Sequence, residues 1–292
     1  MDYKKDERKT NLVGIIPVSG RQDQLGCLWP DSCQPLKEGH IAIERSVLEC
    51  AYAGCKSIWI VCNDNIAPLI KMKIGDAILD PYCYNNRKYF KYFEDNKKYI
   101  PIFYSPIHPK DRDRRDSLGW SVLHGALTAF YVSRNISSWL APHKYYVSFP
   151  YGIYDPRILQ NKKSLLSSSK SLYLSYEGKT VRDNMYLGFT FSPEDWKQIH
   201  YDLKNNCSGG SRNLSFEKRW SSRHFKLDEI FKNGKIVIGV EKEVGWYYDL
   251  DSWSNLVLFY KSEHHDEYET PADKIIGGYK LNRIGKEVEE HE

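Results

Sequence analysis

The stretch LVGIIPV at residues 12–18, followed at once by SGRQDQLG at residues 19–26, decides how the rest of the chain is read. A near-continuous apolar run of that length is the pattern of a strand buried on both faces of a mostly parallel sheet. The glycine-bearing polar segment after it is then a loop at the strand's carboxyl end, where open α/β sheets bind their ligands. Next along the chain, residues 41–53 (IAIERSVLECAYA) place Ile43, Val47, Cys50 and Ala51 on one helical face, with Gly54 as a natural stop. Ser57–Cys62 (SIWIVC) reads as a second buried strand. Strand, loop, helix and strand within about 50 residues make a βαβ unit.

The alternation continues to the C-terminal region. Tyr99–Ile107 is expected as a third strand, and Leu118–Ser133 as a helix burying Trp120, Leu123, Leu127 and Phe130. Tyr145–Tyr154 (YYVSFPYGIY) reads as a fourth strand that Pro150 and Gly152 shorten. Ser171–Tyr176 and Met185–Ser192 are two further strands, and SPED at residues 192–195 starts a helix with Ser as cap and Pro in the first turn. Ile236–Val240, Trp246–Leu250 and a helix over Ser252–Ser262 close the body. The fold class is α/β, an open, mostly parallel sheet with an antiparallel portion in its second half. The organisation expected is a solvated lead-in at residues 1–10, a single domain at 11–262, and a C-terminal extension at 263–292 with an acidic tail.

The composition agrees with an ordinary globular chain. It has 292 residues, 42 Lys+Arg against 38 Asp+Glu, 41% hydrophobic and 14% aromatic residues. That excludes a mainly disordered chain, and no apolar run approaches the ~20 residues of a membrane span. The N-terminus MDYKKDERKT lacks an apolar signal core, so a cytoplasmic protein is expected. The seven Cys include no CxxC pair and suit reduced structural thiols. His264-His265-Asp266 is the dense histidine cluster, more simply a solvated loop than a zinc site. Tyr82, Tyr84, Tyr89 and Tyr92 suit base or sugar stacking, or ordinary packing.

Taken alone, Ser19–Gly26 is either a phosphate-cradling loop, with Arg21 adding a charged contact, or a plain turn. Its setting favours the first. The stretch IIPVSGRQDQLG…WPDSCQPL…HIAIERSVLECAYAGCKSIWIVCND resembles the start of the sugar-1-phosphate nucleotidyltransferases, whose pattern is an apolar strand, a GxGTRL loop, a PKPL motif, a helix and an AGxxxIxIV strand. SLGWS (117–121) is similar to that family's glycine opening a helix beneath the base, MYLGFTFSPE (185–194) to its sugar-side turn, and WYYDLDSWSNL (246–256) to its closing WxDIxTxxDL motif. The resemblance runs over roughly residues 11–262 and implies the nucleotidyltransferase/GT-A type of sheet with its antiparallel part on the sugar side. It implies nucleotide binding by Val18, Ser19, Gly20 and Gly119, sugar binding by Gly188, Glu177 and Lys179, and catalytic positions at Arg21, Gln24, Gln34 and Asp249. It also implies Mg²⁺, held by Asp249 with Asp251, which shares a strand face with it. The competing reading makes Asp249 or Asp251 the cap of the following helix.

The departures bear on activity. Gln22 and Gln24 occupy the places of the loop's second glycine and catalytic arginine, Gln34 that of the PKPL lysine, and Phe149-Pro150-Tyr151-Gly152 lacks the metal-binding aspartate; Asp155 lies further on. Arg21, Lys37 and Lys179 are the candidates to replace the missing cations. The run KDRDRRD (110–116) is either solvated surface or an anion-binding loop, in which Arg112, Arg114 and Arg115 meet a nucleotide or a nucleic-acid backbone. Its Asp111-x-Asp113 resembles the DxD of GT-A glycosyltransferases. Three functions follow: a nucleotidyltransferase making a nucleotide sugar, a glycosyltransferase using one on an acceptor such as a modified nucleic acid, or a non-catalytic nucleotide-sugar-binding or partner-binding relative. Replacing Gly20 with valine is expected to block ligand approach while leaving the fold intact.

Overall fold

The computed structural model describes residues 11–20, 23–85, 98–107, 117–208, 239–268 and 276. Its strands are β1 (Leu12–Pro17), β2 (Pro35–Lys37), β3 (His40–Ile41), β4 (Ser57–Val61), β5 (Ala77–Leu79), β6 (Tyr99–Ser105), β7 (Lys144–Val147), β8 (Gly152–Ile153), β9 (Ser171–Ser175), β10 (Phe189–Phe191), β11 (Gly239–Glu243) and β12 (Tyr248–Asp249). The helices are α1 (Ala42–Tyr52), α2 (Ala67–Ile74), α3 (Pro81–Asn85), α4 (Leu118–Ile136), α5 (Lys163–Ser167), α6 (Pro193–Ser208), α7 (Trp253–Tyr260) and α8 (Glu263–Glu267). The main sheet runs β11-β9-β10-β7-β1-β4-β6-β5. Its centre is parallel, β7-β1-β4-β6, whereas β10 is antiparallel to both β7 and β9, and β11 is parallel to β9.

β1 is buried along its whole length, as its apolar run predicts. Val13 and Ile15 face a core that includes Leu123 and Ala126 of α4, with Tyr145, Val147, Phe189 and Phe191. Leu12 and Ile16 belong to the other core, with Ile43, Val47 and Cys50 of α1. Both helices come very close to the sheet. A Cβ on Gly14 would lie 2.9 Å from the Cys50 sulfur, and one on Gly125 would lie 2.7 Å from Val61 Cγ2. The antiparallel β10 keeps the carboxyl ends of β1, β4, β6, β7, β9 and β11, and the amino end of β10, on one edge.

Several boundaries differ from the sequence reading. The single strand expected over Tyr145–Tyr154 is divided. Ser148 still bonds Ile15 (3.0 Å), but the chain then turns through Pro150, which has no N–H, and β8 leaves to pair antiparallel with β12. The strand expected at Met185–Ser192 is only β10, because Leu187 N–H closes a tight turn on Met185 O (2.8 Å). Of Trp246–Leu250 only Tyr248–Asp249 pairs, and residues 236–238 lie outside the described part. The third strand ends at Ser105, before Pro106, and α4 runs three residues further than expected, to Ile136. The lead-in, Tyr89, Tyr92 and the acidic tail are likewise outside the described residues.

The start of the supposed extension is packed. Tyr268 is buried beside Leu36 and Phe259 in a third apolar cluster, and His40 Nε2 lies 3.1 Å from its hydroxyl. The solvated loop expected around His264 is the short helix α8, in which the His264 ring stacks on Trp246 at 5.0 Å. Among the described residues no helix is long and apolar enough to cross a membrane.

Candidate functional site

The loop after β1 is fixed from three sides. Val18 and Ser19 both donate their N–H to Val61 O (2.8 and 3.0 Å), and the Tyr151 hydroxyl donates to Val18 O (2.9 Å). Ser121 of α4 donates to Ser19 O at 2.6 Å, and Ser19 Oγ bonds Asn63 Oδ1 at 2.9 Å. Gly20 follows with φ +90°, and a Cβ there would fall 2.2 Å from the Ser117 carbonyl carbon. The loop therefore rests against the first residue before α4, and glycine is required on both counts. Valine at this position would disturb the fold as well as the site, contrary to the sequence expectation.

That contact brings three predicted nucleotide-binding residues together with the fourth, Gly119, the second residue of α4. Ser117 caps the helix by accepting from Trp120 N–H at 3.2 Å. The N–H groups of Gly20, Leu118 and Gly119 have no acceptor among the described residues, at the positive end of a 19-residue helix dipole. Backbone donors set at a helix N-terminus in this way can accept a phosphate-sized anion. The described residues of the loop, Val18–Gly20 and Asp23–Gly26, add no cationic side chain, and Arg21 lies outside the described residues, as do Arg112, Arg114 and Arg115.

The next segment is organised by a residue that the sequence reading missed. Asp31 is fully buried and accepts the backbone N–H of Gln24 (2.7 Å) and Leu25 (3.4 Å), while its own N–H donates to Asp23 Oδ1 (2.9 Å). Gln24 is exposed and held by its backbone. Gln34 is buried; its Oε1 accepts Trp29 Nε1 at 3.1 Å and its amide donates to the Tyr260 hydroxyl at 3.4 Å. Burial pushes the neighbouring Cys33 thiol above its ordinary pKa, so it is uncharged at neutral pH. Lys37, a candidate replacement cation, is committed elsewhere: Nζ donates to the carbonyls of His265, Asp266 and Tyr268 at 3.3, 3.1 and 2.9 Å.

The sugar-side residues separate into two groups. Gly188 is buried, its N–H donates to the Tyr154 hydroxyl (3.2 Å), and its carbonyl accepts from Leu174 (2.8 Å). A Cβ on it would fall 2.2 Å from the Tyr146 hydroxyl, so its contribution is close packing. Glu177 and Lys179 are exposed on the hairpin after β9, where Glu177 (φ 49°) and Gly178 (φ 72°) make the turn.

Beneath this edge lies a polar cluster that the apolar stripe of α1 did not reveal. Glu49 is fully buried and accepts from Arg45 (3.0 Å), Tyr154 (2.7 Å), Tyr146 and Ser148. Arg45, also fully buried, donates to Phe149 O at 2.6 Å and lies 4.3 Å from the Tyr154 ring centroid. Burial opposes its charge, but Tyr154 and Glu49 beside it hold its pKa above the ordinary value. The same surroundings raise the Tyr146 and Tyr154 phenols, chiefly through burial and then Glu49. The cluster ties α1 to the turn after β7. The available signal was an Arg and a Glu four residues apart on a helix flanked by buried strands.

Asp249 pairs with Gly152 across β12 and β8. Its Oδ1 accepts Asn255 Nδ2 (2.7 Å) and Asp251 N–H (3.0 Å). The helix cap is Ser252, which accepts Asn255 N–H at 3.3 Å, so neither aspartate has that role. Asp155 is bound to Arg157 at 3.0 Å. Among the described residues no three His, Cys, Asp or Glu side chains gather around one point, so this donor set does not build a resident metal site by itself.

With this geometry in hand, two solved structures are informative. A protein described as a glucose-1-phosphate thymidylyltransferase from Bacillus anthracis, in complex with sucrose, matches with a TM-score of 0.53 at 10% identity over 85% of this chain and 93% of its own. An apo UDP-glucose pyrophosphorylase matches with a TM-score of 0.54 at 14% identity over 87% of this chain and 98% of its own. The fold is sugar-1-phosphate nucleotidyltransferase-like. At these identities the likeness shows the fold alone. No protein-family model matches the chain, and no curated protein matches it significantly.

Proposed function

We propose that the carboxyl edge of the sheet binds a nucleotide sugar and that the protein is a nucleotidyltransferase-like transferase acting on it. The observation that carries this reading is the contact of Gly20 with Ser117, which sets at the head of α4 three N–H groups that have no acceptor among the described residues. In the forward reaction a phosphate oxygen of the sugar 1-phosphate bonds to the α-phosphorus of a nucleoside triphosphate. The bond from that phosphorus to its bridging oxygen breaks, and pyrophosphate leaves. Gly20 and Gly119 hold the nucleotide phosphate through backbone, Ser19 and Val18 fix that loop, and Glu177 and Lys179 reach the sugar from their hairpin. Arg21, Gln24 and Gln34 are assigned to the reacting phosphates in this reading by their places in the motif order alone. Mg²⁺ enters this reading only together with the diphosphate, with Asp249 and Asp251 as its protein ligands, and supplies charge neutralisation.

A second reading is favoured by one observation. Gln34 is neutral and Lys37 is bound to three carbonyls, so neither offers a free cation to a departing pyrophosphate. A glycosyltransferase keeps the diphosphate on its donor and has less need of them; its acceptor, including a nucleic acid met by Arg112, Arg114 and Arg115, is part of this proposal. Phosphorus NMR of the protein with Mg²⁺, glucose 1-phosphate and UTP or dTTP separates the readings. Pyrophosphate and a nucleotide sugar forming together supports transfer of the nucleotidyl group. Silence in that assay, with release of UDP or dTDP from the nucleotide sugar, supports the second reading, and silence in both leaves only a binding protein.

A further inference from the structure

Away from the carboxyl edge, α4 and α6 leave a cavity of about 400 Å³ over the strand β7, lined by Leu127, Phe130, Tyr131, Tyr145, Trp196 and Lys197 among others. Its floor is Tyr145, in the first half of β7, level with Val13 and Phe191 and so well short of the turn at Ser148. Tyr145 is 2% exposed and stacks on Phe191 with centroids 4.9 Å apart. Its hydroxyl has no hydrogen-bond partner among the described residues. It is not one of the sealed, unpartnered polar atoms, so it opens onto the cavity, where the hydroxyl of a bound molecule can replace water. The walls are aromatic and aliphatic, and Trp196 is held in place by its Nε1, which donates to Leu123 O at 3.1 Å. Exposed Glu194 and Lys197 form a polar rim. Burial, and then Glu194, raise the Tyr145 phenol above its ordinary pKa, so it is a neutral donor and acceptor.

We infer that this cavity is a second binding site, for a small aromatic molecule carrying a hydroxyl group, whose ring lies between Phe130 and Trp196 and whose hydroxyl pairs with Tyr145. The volume suits a compact ligand, in the range of small-molecule pockets. A single polar group at the floor of an aromatic slot selects for one hydroxyl at the inner end. Charged head groups are met only at the rim. This inference does not depend on the proposed reaction.

The test is calorimetric titration of the full chain with 2-naphthol, and with naphthalene as the analogue lacking the hydroxyl. Saturable one-to-one binding of 2-naphthol is expected, about 3- to 10-fold weaker in Tyr145→Phe, the usual loss for one hydrogen bond. Naphthalene should bind both proteins equally. Leu127→Trp, which fills the slot from a half-buried position, should abolish binding of either. Tyr145→Phe should keep the thermal midpoint of the parent, because no protein partner is lost. Absence of saturable 2-naphthol binding, or equal affinity in the parent, Tyr145→Phe and Leu127→Trp, overturns the assignment.

Discussion

Arg45 and Glu49 hold the turn that shapes the candidate site. A buried ion pair adds little stability over a well-packed apolar core, but removing one partner strands the other, at about 3–5 kcal/mol. Here the loss is compounded, because Tyr146, Tyr154 and Ser148 all use Glu49 as acceptor. Glu49→Ala is expected to lower the unfolding free energy in urea by at least ~3 kcal/mol. Glu38→Ala, an exposed control, should change it by no more than ~0.5 kcal/mol. A Glu49→Ala loss under about 1 kcal/mol would show that the cluster is not holding α1 to the turn after β7. Gln34 and Lys37 make the complementary point: their polar atoms serve the protein's own structure.

At the scale of elements, the loop after β1 and the head of α4 form one unit. Gly20→Val combines a left-handed backbone position, costing about 1–3 kcal/mol for a residue with a Cβ, with overlap on the Ser117 backbone. Gly26 also has a positive φ, of 65°, but a Cβ there meets nothing within 4 Å. Gly20→Val should therefore lower the thermal midpoint clearly more than Gly26→Val, and equal losses would show that the contact with α4 does not matter. The two buried strands, α1 and α4 were legible because periodicity and glycine stops are local signals. The early end of the strand at Ser148–Tyr151 was legible from Pro150 and Gly152, but its anchoring by Arg45, which reaches Phe149 O across more than one hundred residues, was not. The burial of both faces of α1 was hidden for the same reason. An apolar stripe reports the face that packs on the sheet and says nothing of a polar face covered by a later segment. The capping role imagined for Asp249 failed on a finer point: Ser252, nearer the helix, makes that bond.

At the scale of the whole molecule, the order β7-β1-β4-β6 with an inserted antiparallel β10 gathers the loops of distant segments on one edge. The order of motifs along the chain made that gathering legible. What each loop does there was less legible, because it depends on which polar atoms are already spent. Gly188 is committed to packing and to bonds with Tyr154 and Leu174, Gln34 to Trp29 and Tyr260, and Lys37 to the carbonyls of His265, Asp266 and Tyr268, whereas the N–H groups of Gly20, Leu118 and Gly119 have no acceptor among the described residues. In the proposed function, a nucleotide sugar binds at this last group. Photolabelling with 5-azido-UDP-glucose, followed by peptide mapping, tests it directly. Label is predicted within residues 12–26 or 117–121, suppressed by excess UDP-glucose; label confined to residues 193–201, or label that UDP-glucose does not suppress, would contradict it.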